Sequence, residues 1–410
     1  MHILFLTDNF PPEGNAPATR TYEHVREWVK EGHKVTVITC APNFPEGKVF
    51  DGFENKWLSK TQYEGINVWR VKSYITANEG FLKRTLDFIS FMLSSFFFGL
   101  FTKKVDVVVG TSPQFFTVIS AWALAKLKRS PFVFELRDIW PASITAVGAM
   151  KKSKMITFLE KVEMFLYRQA NLIVSVTNSF KTELIERGVD GNKIEVVLNG
   201  VDLSRYEPVN AKSPTYVVPN GLENKFVVGY IGTHGLAHAL EKILEAAVLL
   251  AENKEIVFVF AGGGAAKPEL EKRAQELKLS NVVMIPRQPK DKMPELWSLC
   301  DISLISLKDT PLFETVIPSK IFESMGMGLP MLYSGPQGEA SKIILDASAG
   351  VIVPPENPEA LANEVEKLWQ QREELTKLAD NSYRGAAQYD RKTLSLEMLK
   401  HVANVAKTTS

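Results

Sequence analysis

Only two cysteines, Cys40 and Cys300, occur in the 410 residues, and they lie far apart. A disulfide framework or a thiolate metal site needs more; each reads as a buried thiol in an apolar segment, suiting a reducing compartment. The six histidines, His2, His24, His33, His234, His238 and His401, form no ligand-spaced cluster, and no Asp-x-Asp occurs, so no metal is expected. No Gly-x-Gly-x-x-Gly follows the first strand. Asp8-Asn9-Phe10-Pro11-Pro12 stands there instead, which argues against a nicotinamide dehydrogenase. Excess charge is also missing: 48 basic against 47 acidic residues give a net charge of +1 and no global case for nucleic acid. No basic stretch precedes MHILFLTD, which reads as a strand rather than a secretory signal. The longest apolar run, Phe88 to Phe101, is short for a bilayer span.

What is present is a globular composition, 45% hydrophobic and 23% charged, in a chain long enough for two cores. His2–Thr7 is a continuous apolar run, as in a buried parallel strand. A Pro-rich loop, Asp8 to Ala18, leads to a helix over about Thr19–Glu31, then Gly32 and the strand Lys34–Thr39, a βαβ unit. Further strands are predicted at 68–71, 105–110, 132–136, 172–176 and 194–197. The second half repeats the grammar: a strand at 226–231, a helix over about 237–252, and strands at 256–260, 282–285, 302–307, 331–333 and 351–353. The fold class is therefore α/β, two Rossmann-like doubly wound parallel-sheet domains. The expected domains are residues 1–205 and 206–381, with a last helix, about 382–410, packing back on the first. Gly14, Gly232 to Gly235 and Gly262 to Gly264 fall at strand ends. They serve either tight βα turns or close backbone approach to a ligand.

The stretch VIPSKIFESMGMGLP, Val316 to Pro330, carries the most chemistry. It starts a helix at Ser319 and Lys320, with Glu323 one turn in. Free N–H groups at a helix start suit phosphate, and a carboxylate can accept two hydrogen bonds from a ribose diol. The same residues also fit a capped amphipathic helix with Ile321, Phe322 and Met325 inward, and the stretch alone does not decide between them.

Four segments taken together, TDNFPPEGNAPATR with the following GHKVTVIT, then ELRDIWP, VLNGVD and IPSKIFESMGMGLP, resemble those of retaining glycosyltransferase family 4, in particular its L-fucosamine-transferase-like branch, across essentially the whole chain. The resemblance implies a GT-B fold, its two domains facing a central cleft: an acceptor-binding first domain and a nucleotide-sugar-binding second. The family's two glutamates, with seven residues between them, fall on Thr315 and Glu323. Glu323 is then the ribose ligand, and the neighbouring Glu314 stands in for the first glutamate at the donor sugar. Many relatives hold the diphosphate with Arg and Lys after the glycine equivalent to Gly232. Here Thr233 and His238 occupy those places. Positive charge is expected from Lys320, aided by the N–H groups of Ser319 and Lys320, with Arg287 as a second cation. Gly14 and Asn15 match the loop that abuts the donor phosphates and acceptor. Asp138 lies near the position of a catalytic-site histidine in relatives, and either orients sugar hydroxyls or pairs structurally with Arg137.

The implied reaction moves a sugar, an N-acetylated amino or deoxy sugar, from a UDP-sugar to a lipid-diphosphate-linked saccharide, with retention and without a metal or cofactor. It belongs to O-antigen, lipopolysaccharide or capsule assembly. The helix FLKRTLDFISFMLSSFFFGLF suggests peripheral attachment to the cytoplasmic face of the inner membrane through Phe88, Phe91, Phe96, Phe97 and Phe98. Nearby bases (Lys83, Arg84, Lys103, Lys104, Lys126, Lys128, Arg129, Lys151, Lys152 and Lys154) would add attraction; a core helix is the alternative. Two other functions fit the architecture: a nucleotide-sugar epimerase, which needs no acceptor, and a non-catalytic nucleotide-sugar-binding scaffold.

Overall fold

The computed structural model describes residues 1–44, 46–76, 81–140, 153–209 and 211–408. The chain forms two compact units, Met1–Leu198 with Arg391–Ser410, and Asn199–Asp390.

Among the described residues the first unit holds eight strands: β1 His2–Leu6, β2 Lys34–Cys40, β3 Leu58–Tyr63, β4 Ile66–Val71, β5 Val107–Thr111, β6 Phe132–Leu136, β7 Leu172–Ser175 and β8 Ile194–Val196. Their order is β3-β4-β2-β1-β5-β6-β7-β8, and every pairing is parallel except β3 with β4. The central strands are apolar on both faces because helices cover both. Three of these helices matter below: α1 Ala16–Lys30, α2 Phe81–Gly99 and α3 Phe115–Lys128. The β3 sequence LSKTQY is polar and exposed and was not anticipated; it is an edge strand. Its hairpin turns at Glu64 and Gly65, both with positive φ (48° and 81°), the backbone such tight turns need.

The second unit has six strands: β9 Phe226–Thr233, β10 Ile256–Gly263, β11 Val282–Ile285, β12 Ile302–Ser306, β13 Met331–Ser334 and β14 Gly350–Val353. All are parallel, in the order β11-β10-β9-β12-β13-β14. The chain winds outward in opposite directions from β9 and β12. The crevice beyond their carboxyl ends is where such sheets take ligands.

Two boundaries differ from the sequence reading. The first unit is left at Leu198, not at 205, because Val201 already belongs to the second: its N–H donates to the Tyr389 carbonyl, 2.9 Å, and it bridges Asp390. The final helix begins at Arg391, not near 382; Ser382 lies buried in the preceding helix, Arg372–Ala386. The Arg391–Thr408 helix lies along α1. There the Trp28 indole N–H donates to Ser395 O (2.9 Å), Ser395 Oγ to His24 O (3.2 Å), and Arg391 meets Glu23 at 3.4 Å.

Candidate functional site

In the second unit, the ends of β9 and β10 approach so closely that only glycine fits. A Cβ on Gly262 would collide with the Gly232 carbonyl, and one on Gly264 with that of His234. Gly232, Gly262 and Gly264 have φ of 137°, 143° and 151°, a region open to glycine. The His234 N–H donates to Gly263 O (2.9 Å) and closes the loop over this floor.

The helix Lys320–Gly326 delivers Lys320 to this floor. Its Nζ is buried, 3.5 Å from the centroid of the Tyr230 ring, and a Cβ on Gly232 would stand 3.4 Å from it. The side chain is 8% exposed, and its ammonium has no hydrogen-bond partner among the described residues. Burial lowers its pKa to about 7, against a smaller upward pull from Glu323. An aromatic face compensates a buried cation only in part. Two imidazoles border it. His238 shares a hydrogen bond between Nδ1 and Ser306 O (3.1 Å), and His234 packs against Tyr230 with ring centroids 5.7 Å apart. Burial holds both down, to about 4, and nearby Lys320 adds to this. Both are neutral at pH 7, so the positive charge beside this floor comes from lysine. Lys267 lies close by, but its ammonium donates to Gly262 O (2.9 Å) and Ile285 O (3.2 Å).

Glu323 stands half-buried one turn after Lys320, its Oε2 accepting from the Trp297 indole N–H at 3.2 Å. Ser319, at the N-cap position, makes no capping bond with its side chain and is exposed. Thr233 and Arg287 are exposed at strand ends, Arg287 with its Cβ 3.7 Å from where a Gly263 Cβ would be. Glu314 is exposed at the end of the short helix Pro311–Glu314, while the Thr315 hydroxyl donates locally to Leu312 O (2.9 Å). Gly232, Lys320 and Glu323 thus come together in one unit. Sequence reasoning missed Tyr230 and Trp297, the ring partners of Lys320 and Glu323.

In the first unit, Gly14 and Asn15 follow β1, and Asp138 follows β6, both beyond carboxyl ends. Asn15 is the N-cap of α1, its Oδ1 accepting from the Ala18 N–H (3.0 Å), so only its side-chain N–H2 remains for a ligand. Gly14 is exposed and its φ is ordinary. The loop is anchored by Glu13, unforeseen in the sequence. Its carboxylate accepts from the N–H groups of Asn43 (2.8 Å), Phe44 (2.9 Å) and Phe10 (3.2 Å). The half-buried Asp138 donates its backbone N–H to Ser112 Oγ (3.3 Å). The charge of Arg137 faces Glu135 instead, whose carboxylate pairs with Arg20 Nε at 2.8 Å in a fully buried position.

The aromatic face proposed for α2 needs correction. Phe91 is 0% exposed and belongs to the core, and Phe96 and Phe98 pack against that core. Phe88 is half-buried, with Arg84 over its ring and Phe116 beside it. The exposed stripe is Leu86, Leu93, Phe97 (54%), Leu100 and Phe101, at helical spacing. No helix among the described residues is long and apolar enough to cross a membrane. Lys151 and Lys152 lie outside the described residues.

A family model described as Glycosyltransferase Family 4 matches residues 17–205, and one described as Glycosyl transferases group 1 matches residues 214–385. The chain belongs to glycosyltransferase family 4. It is 28% identical to WcaI of Escherichia coli (strain K12), named as a proposed colanic acid biosynthesis glycosyl transferase, over 80% of this chain and 82% of that one. It is 25% identical to the proposed glycosyltransferase WbjE of Pseudomonas aeruginosa, over 65% and 66% of the two chains. Among solved structures, Anabaena HepE in complex with UDP matches with a TM-score of 0.74 at 17% identity, covering 98% of this chain and 100% of that one. WaaG, a glycosyltransferase involved in lipopolysaccharide biosynthesis, matches with a TM-score of 0.71 at 14% identity, covering 98% and 99%. At these identities the likeness concerns the fold, which is GT-B: two doubly wound units with parallel sheets.

Proposed function

We propose that this family 4 enzyme transfers a sugar from a uridine-diphosphate sugar to a saccharide carried on a lipid diphosphate, with retention at the anomeric carbon, in surface-polysaccharide assembly. The observation that carries the donor half is Lys320, a buried amine with no hydrogen-bond partner among the described residues, placed against glycine backbone at the end of β9. A diphosphate at that floor supplies the missing charge. Arg287 adds a second cation at the rim, and the exposed Ser319 hydroxyl and the Thr233 loop add donors. Glu323, held by Trp297, accepts from the ribose diol.

In the reaction the acceptor hydroxyl forms the new glycosidic bond, the bond to the leaving diphosphate breaks, and the hydroxyl proton departs to a diphosphate oxygen. Charge grows on the leaving group, and Lys320 and the backbone N–H groups are fixed where it grows. Asp138 orients sugar hydroxyls, the Gly14–Asn15 loop serves the donor phosphates, and Glu314 contacts the donor sugar. No metal is assigned to these steps. The relatives WcaI and WaaG, named for colanic acid and lipopolysaccharide, support the polysaccharide context.

Attachment to a membrane surface rests on the α2 stripe. Met155 and Phe158 are exposed apolar side chains on the helix Lys154–Gln169, and Lys83, Arg84, Lys103 and Lys126 are exposed as well. Calorimetric titration with UDP, GDP and CDP in chelator tests the donor reading. UDP should bind, with the loss of most affinity in Glu323→Ala. Absence of binding by all three nucleotides overturns the reading.

A further inference from the structure

A second concave site lies in the first unit, at the edge formed by β4, the loop before β3, and α2. It encloses about 590 Å³. Two aromatic rings flank it. Trp57 is 68% exposed and Tyr74 is 49% exposed, unusual for residues so large in a groove wall. Lys72 Nζ sits 4.8 Å from the centroid of Trp57 and braces one face of the indole. The wall behind is polar and fixed. Asn55 and Ser73 exchange two hydrogen bonds, Asn55 Nδ2 to Ser73 O at 2.7 Å and Ser73 N to Asn55 Oδ1 at 3.2 Å. Ser90 Oγ accepts from the Tyr74 N–H (2.6 Å), which sets the direction of the Tyr74 backbone. Ser73, 95% buried, lines the groove, and its hydroxyl has no hydrogen-bond partner among the described residues. Ser94, one turn along α2 from Ser90, places another hydroxyl in the lining.

Open ring faces beside an unpartnered hydroxyl suit one class of ligand well. A pyranose has an apolar C–H face and a rim of hydroxyls, so it satisfies rings and polar wall together. A hydrocarbon chain would cover the rings but leave the Ser73 hydroxyl unpaired. We infer that this groove binds a sugar residue of a saccharide, separately from the sugar being transferred. This rests on the transferase reading above, under which the bound sugar belongs to the acceptor, held at the sheet edge while another part of the chain reacts. The exposed stripe of α2 begins beside the same groove, since Ser90 and Ser94 share that helix with Leu93 and Phe97. A lipid-linked saccharide would then meet its lipid surface and its sugar groove on one element.

Saturation-transfer NMR on the full chain tests this, with methyl glycosides of glucose, galactose, fucose and N-acetylglucosamine, and with cellobiose and chitobiose. The samples carry saturating UDP, and Trp57→Ala and Tyr74→Ala are run beside the wild type. At least one saccharide should receive saturation from the wild type, and the transfer should fall at least about fivefold in both variants, about 1 kcal/mol in affinity. Both rings are exposed, so the variants should keep the wild-type melting curve; the comparison is made on whichever of the two does. No transfer to any member of the panel overturns the inference. So does transfer that survives in both variants. UDP titration of the same proteins, before any UDP is added, separates the two readings. Unchanged UDP binding with no sugar contact removes the groove and leaves the donor site standing. Absent UDP binding removes the donor reading whatever the groove does.

Discussion

Replacing Lys320 by methionine should make the unliganded second unit more stable while weakening its affinity for UDP. The buried amine is held at about 7 rather than the usual 10.5. Between those values the unfolded chain binds the proton and the folded chain does not, so stability rises with pH across that window. The penalty is complete below pH 7 and vanishes above 10.5. At ~1.4 kcal/mol per pH unit it amounts to roughly 5 kcal/mol at low pH and roughly 4 at pH 7, less for any imperfection of the replacement. Methionine keeps the volume and places no charge against Tyr230. For a unit of this size, 4 kcal/mol raises the melting temperature by roughly 8–16 °C as a ceiling. The assay is thermal melting of wild type and variant at pH 6, 7 and 10.5, followed by UDP titration at pH 8 in buffers of different ionisation enthalpy. The stabilisation should be largest at pH 6 and nearly gone at 10.5. Wild-type UDP binding should take up part of a proton, and the variant should bind roughly 10–100-fold more weakly. A variant less stable than wild type at pH 7, or equally shifted at pH 6 and 10.5, refutes the uncompensated ammonium.

Three further outcomes follow from the geometry. Arg20→Met leaves the Glu135 carboxylate buried without its partner and frees the Val197 and Leu198 carbonyls that Arg20 now holds at 3.0 and 2.9 Å. A loss of roughly 3–5 kcal/mol in denaturant unfolding is expected, and a loss below about 1 kcal/mol would count against the pair. Gly262→Ala forces a side chain into the Gly232 carbonyl at a φ of 143°, so UDP titration should show lost binding and melting should show at least roughly 1–3 kcal/mol of strain. Phe97→Asp should leave stability within ~0.5 kcal/mol but reduce co-sedimentation with anionic liposomes, whereas Phe91→Asp should unfold the first unit. Equal sedimentation of Phe97→Asp and wild type would remove α2 from the membrane reading.

Much of the fold was legible because buried parallel strands are unbroken apolar runs; Phe226–Ile231 needs no tertiary context to be seen. β3 was not, because an edge strand carries polar residues and only its Glu64-Gly65 turn marks it. Lys320 and Glu323 could be paired from the sequence since they sit one turn apart. Their partners Tyr230 and Trp297 come from other elements, brought in by sheet order rather than local spacing. The α2 face failed for a different reason. Its polar residues past Asp87 are serines, small enough to be buried as Ser95 is, so they do not fix the helical phase, and only packing separates Phe91 from Phe97. Asn15, read as a ligand contact, is also the N-cap of α1, a role that Asn before an Ala-Pro-Ala start could have signalled.

The helix Arg391–Thr408 lies on α1, the first helix of the chain, so the first unit is assembled from both extremes of the described sequence. A ribosome therefore makes the whole second unit, residues 199–390, while the first still waits for its last helix. At 5–20 residues per second that wait is on the order of ten to forty seconds, during which the face of α1 bearing Trp28 and Val25 is uncovered. The second unit can be finished, and on the donor reading loaded, before the other half closes. Stalled or shortened chains would thus carry a complete second unit beside an adhesive first one.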